Sequence, residues 1–247
     1  MSWLESMALF GAPGLAILAL TYLAVPRWVD SGVPLIWSWT LALFIPLALT
    51  NAVVVGNYLR KPGHDLRTLG RRIRLRPPRA SDWKWIGTGF LAIGVLSFAL
   101  EWTQPILREL LPMQTLVPEL FVDPYATTAG RSGEATFFGV PMEGQWWLIP
   151  FWLVWLAVMV TLEEILWRGF ALPRRELKYG TAAFVINGLL GAIPFHLYTY
   201  WNVLTDLPMY LIVPFVAYKT RSSTASWILH FILPLMALAY LIPGIVG

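Results

Sequence analysis

Two adjacent acids, Glu163 and Glu164, interrupt an apolar run from Trp146 to Leu172 that also carries Arg168. Charge at bilayer depth is costly and tends to persist only with a partner or a purpose. The late apolar runs hold two of the three histidines, His196 and His230. The third, His64, lies in a basic stretch and reads as a solvated residue. Two carboxylates and two imidazoles in a low-dielectric interior suit one of two tasks. They can hold a divalent metal, since carboxylate and neutral imidazole are ordinary zinc ligands. Or a Glu–His pair can hold and deprotonate a water without metal. Either arrangement serves peptide hydrolysis.

Helical spacing makes the set workable. Glu164 and Arg168 are four apart and share a face, so they can pair. Glu163 points about 100° away and is left for chemistry. The competing reading is a structural charge cluster near the end of a long helix. Each histidine alone could merely hydrogen-bond a neighbouring helix. Ser226, four before His230, reads as a cap or a helix-packing hydroxyl.

The elements that must position these groups follow from composition. The 247 residues are 57% hydrophobic, 15% aromatic and 13% charged, against about 25% charged in soluble domains. This places the chain among polytopic membrane proteins, with its 14 Trp suited to interfacial belts. There is no cysteine, which excludes disulfides, thiolate metal sites and a Cys nucleophile. The net charge of +4 comes from residues flanking apolar runs and does not indicate nucleic acid.

The expected fold is an all-α transmembrane helix bundle in a single domain, 1–247. Its spans are Met7–Val25, Leu35–Val55, Trp85–Trp102, Trp146–Leu172, Ala182–Tyr200, Leu207–Tyr218 and Ala225–Val246. Pro105–Phe121 is an amphipathic or re-entrant candidate for an eighth element. The N-terminal run lacks a positive n-region and a clear cleavage site, so it is read as a retained span. Lys and Arg concentrate in loop 57–84 and after the fourth and sixth spans, which predicts a cytoplasmic N-terminus. The opposite side then holds an external segment, 103–145, of which Val122–Gln145 reads as polar loop. The location is an integral membrane one, the inner membrane if the source is prokaryotic. The basic loop could also contact anionic lipid.

Depth gives a check on convergence. At about 1.5 Å per residue, Glu164 lies roughly 15 Å before Arg174 and His230 roughly 10 Å past Ser223. His196 comes out roughly 24 Å past Gly180, too deep for straight helices. Pro194, Gly188 and Gly191 supply the means to bend or delay that helix.

The run Glu163-Glu164-Ile165-Leu166-Trp167-Arg168-Gly169 resembles the EExxxR(G) signature of the CPBP intramembrane proteases, also called the Abi or CAAX-protease-like family. His196 and His230 fall where its second and third motifs carry histidine, and the resemblance spans roughly Leu59 to the C-terminus. It implies that Glu163 and His196 activate the hydrolytic water, with Glu164 and Arg168 supporting. It implies oxyanion stabilisation or metal binding for His230, and a site for Zn or another divalent metal on Glu163, His196 and His230. The implied partner is a membrane-embedded peptide or protein substrate. Two positions depart from the pattern: Ala192 replaces the phenylalanine of FxxxH, and Pro234 replaces the asparagine of HxxxN. Pro234 removes an amide donor that could stabilise an oxyanion, leaving Asn187 or Asn202 as substitutes. The alternative function is a catalytically silent scaffold or subunit of a membrane complex. No HExxH or GxGD motif supports another intramembrane protease class, Ser226 lacks a GxSG context, and no internal repeat supports a transporter.

Overall fold

The computed structural model describes residues 1–110 and 136–247. In hydrocarbon every backbone polar group must be paired within its own segment, and the chain answers with helices. In order these are α1 (Trp3–Asp30), α2 (Leu35–Leu59), a short α3 (Leu66–Arg72), α4 (Ala80–Leu100), α5 (Thr103–Leu110), α6 (Leu148–Tyr179), α7 (Ala182–Phe195), α8 (Leu197–Thr220) and α9 (Ser223–Val246). The protein is an integral membrane helix bundle, as composition predicted.

Among the described residues five helices (α1, α2, α4, α6 and α9) are long and apolar enough to cross a membrane alone. The expected fifth and sixth spans are instead a broken pair, α7 and α8, which meet at 114°. Taken as one crossing the pair gives six spans among the described residues, beside the seven expected of the whole chain. The reason is local: Pro194 lacks an N–H and Gly191 opens the turn ahead of it. The Pro105–Phe121 candidate is helical up to Leu110, and the remainder lies outside the described residues.

Packing fixes the broken pair from both sides. A Cβ on Gly14 of α1 would lie 2.1 Å from the Pro194 carbonyl oxygen, and one on Gly188 would lie 2.4 Å from that of Tyr210. Only glycine permits such backbone approach. α4 lies along α8 and α9, where Ile86, Ile93, Val213, Val216 and Leu229 form one apolar cluster. A larger aromatic core joins α1, α2, α6 and α7, with Trp152 and Trp155 stacked at 5.2 Å and Phe10 on Trp167 at 5.2 Å.

Residues 136–141 correct the polar-loop reading. They form a two-stranded antiparallel hairpin, β1 (Thr136–Phe137) and β2 (Val140–Pro141). Its turn places Phe138 and Gly139 at positive φ, the geometry that matches strand twist. Phe137 is buried edge-on to Trp152 at 5.4 Å, and Met142 is buried against Gly244. The hairpin is thus a plug beneath α6 and α9.

Candidate active site

The site begins with the winding of α6. Regular α-helix runs to Glu163, then widens into π-helical turns over Glu164–Ala171. Such insertions are rare and recur at functional sites. Two buried amides brace the segment. Asn51 of α2 donates to the Leu162 carbonyl at 3.1 Å, and Asn187 of α7 donates to that of Trp167 at 3.0 Å. Asn187 thus gives one of its two amide hydrogens to backbone, and it does not line the cavity described below. Asn202 does line the cavity described below.

Glu163, Glu164, Arg168 and His230 are all buried, between 2% and 5% exposed. Glu164 is held on every side. Arg168 Nη1 lies 3.3 Å from its Oε1, the ion pair expected from four-residue spacing. His230 Nδ1 donates to the same oxygen at 3.0 Å, and Ser226 Oγ donates to Oε2 at 2.6 Å. Ser226 is thus more than a packing hydroxyl: it shares the carboxylate with His230 from the same face of α9. The detectable signal was the four-residue spacing of Ser226 and His230, which puts both opposite Glu164.

Glu163 is placed differently. Its Oε2 is buried with no hydrogen-bond partner among the described residues, and lies 3.7 Å from His230 Nε2. A buried carboxylate oxygen without a donor is costly and marks a group kept ready for one. Two indole bonds hold α6 and α9 in register around this pair: Trp227 to Thr161 at 3.0 Å and Trp152 to the Pro234 carbonyl at 3.3 Å.

The broken α7 delivers His196. Its last turns widen over Gly191–Phe195, and His196 sits at the break with φ −94° and ψ 22°. The bend brings His196 to the lining of the cavity that Glu163 and His230 also face. Nδ1 donates to the Gly191 carbonyl at 2.9 Å, so Nε2 is free to accept. Aromatic rings fix the imidazole plane, with Tyr210 at 4.5 Å, Phe195 at 4.6 Å and Tyr198 at 5.6 Å between centroids.

Glu163, His196 and His230 line one cavity of about 550 Å³, together with Asn202, Asp206 and Tyr210. Asp206 immediately precedes the expected sixth span, Leu207–Tyr218. Pro234 also faces this space, so the departure from the HxxxN pattern lies at the site itself. Ala192 is buried outside the cavity lining.

Fold and site together define a polytopic helical membrane protein with an acid–imidazole cluster opening on an internal cavity. Residues 145–236, which bear every member of the cluster, match the family model described as Type II CAAX prenyl endopeptidase Rce1-like. Over that segment the resemblance to the CPBP proteases is shown. Comparison with curated proteins gave no match, and comparison with solved structures gave none.

Proposed function

We propose that the chain is an intramembrane endopeptidase of the CPBP type, in which Glu163 and His196 activate water against a peptide carbonyl. The observation that supports this most is the asymmetry of the two acids. Glu164 has three partners, whereas Glu163 presents an unpartnered oxygen to a cavity it shares with both histidines. Water bound between Glu163 Oε2 and His196 Nε2 gives up a proton as its oxygen attacks the carbonyl carbon. The same proton then passes to the leaving amine. His230 needs its proton on Nδ1 for the Glu164 contact, and a second on Nε2 would face either Glu163 or the developing oxyanion. The Rce1-like match supports a membrane-embedded substrate of the CAAX class.

A divalent metal, zinc among them, is a second reading of the same donors. Free Nε2 atoms and an unpartnered carboxylate oxygen are the right types. Among the described residues, however, no three such groups are close enough to hold one ion, so no step is routed through it. The scaffold alternative draws support from Pro234, which lines the cavity without an amide donor.

The test is hydrolysis of a prenylated CAAX peptide by the full chain in nanodiscs. Glu163→Ala and His196→Ala should each lower turnover by about 10²-fold or more. Undiminished turnover in both variants rejects the assignment. No turnover in the native chain, with a stoichiometric partner copurifying, favours the scaffold.

A further inference from the structure

A second region pairs an apolar groove with unpaired cations. The start of α1 and the end of α2 leave between them a groove of about 470 Å³, lined by Ala8, Leu9, Ala12, Leu49 and Val53. It runs into a hollow of about 200 Å³ that holds Lys61, Arg72, Tyr58 and Asn57. Val54, Phe170 and Arg174 line both, so the two spaces are continuous.

The cations of this hollow stand apart from their neighbours. Arg74 and Arg221 pair with Glu176, and Arg76 pairs with Asp82. No ion pair forms on Lys61, Arg72 or Arg174 among the described residues. Glu5 lines the groove along with Arg174 and feels its charge, while its carboxylate accepts from the Ser2 backbone N–H at 2.7 Å. Arg72 is half-buried, and burial together with the adjacent Arg174 draws its guanidinium below the usual arginine range. Three cations lining one hollow that no acid lines form an anion site. An apolar channel leading from that site along the outer helices suits an acyl chain.

We propose that an anionic glycerophospholipid of the surrounding bilayer binds here, its acyl chain between α1 and α2 and its phosphate on Lys61, Arg72 and Arg174. The lipid then touches Phe170 and Arg174, on the same helix as the glutamate pair, and bridges that helix to the loop.

The test is lipid titration of the delipidated full chain in neutral detergent, read by native mass spectrometry. Phosphatidylglycerol should bind one per chain, at least about tenfold tighter than phosphatidylcholine of the same chains. Arg72→Gln combined with Arg174→Gln should weaken it about 25-fold, at roughly 1 kcal/mol per charge. Ala12→Trp, which fills the groove and leaves every charge, should also weaken it. Arg67→Gln combined with Arg71→Gln, on the same loop outside the hollow, should leave binding unchanged. Equal affinity for both lipids overturns the proposal. So does equal weakening by the Arg67/Arg71 pair, which would show only general attraction to a basic surface. Glycerol phosphate binding as well as the lipid would remove the acyl groove from the site.

Discussion

Helix α6 carries two charged clusters twelve residues apart, and they are built on opposite plans. Glu164 meets its partners at bilayer depth, in fixed contact with an arginine, a histidine and a serine. Glu176 meets Arg74 through two bonds of 2.7 and 2.6 Å and also pairs with Arg221, whose side chain is 54% exposed. The outer cluster ties the basic loop to the helix ends, and although Glu176 is itself 8% exposed, Arg221 reaches water. The inner one has no water to fall back on, so every lost contact remains lost. Position in the bilayer, more than the number of charges, decides what each pair is for.

Replacing one partner at each site measures the contrast. Arg168→Met should be the most damaging, at about 3–5 kcal/mol, because it leaves the Glu164 charge uncompensated in a buried site. Chemical unfolding in mixed micelles would read this, and a loss under about 1 kcal/mol would erase the distinction. Ser226→Ala should cost about 1.5–3 kcal/mol, the range for a hydrogen bond to a charged group. It should also lower turnover, since Glu164 orients His230. Glu176→Gln should cost less than Arg168→Met, about 1.5–3 kcal/mol, because Arg74 and Arg221 remain able to reach water when the acid is lost. Glu163→Gln comes last on the stability scale, with no measurable loss, because its Oε2 has no bond to break. It should nonetheless remove turnover, and a variant that unfolds instead would give Glu163 a structural duty.

The acids, Arg168 and both histidines were legible because charge in an apolar run is conspicuous. So was the Glu164–Arg168 pair, which depends only on spacing along one helix. Ser226 was harder to read: a hydroxyl is common in membrane helices, and only the placement of α9 against α6 turns it toward Glu164. The backbone contact of Asn187 was hidden for a related reason. The widened turn of α6 put the Trp167 carbonyl within its reach, and winding of that kind leaves no hydropathy trace. The size of the break between α7 and α8 was not legible, because window averages register apolar length and not a 114° bend. The hairpin over 136–141 was masked by its polar surroundings, although Phe137 and Met142 are fully buried.

The partner that orients His196 is the Gly191 carbonyl, a main-chain oxygen. Every residue type carries that atom, so no single amino-acid exchange at another position can delete it. What can destroy the arrangement is a change in how the chain is wound, such as an inserted or deleted codon between 191 and 195. The imidazole should therefore tolerate drift in its neighbours and be intolerant of length change, a pattern that saturation and indel libraries would tell apart.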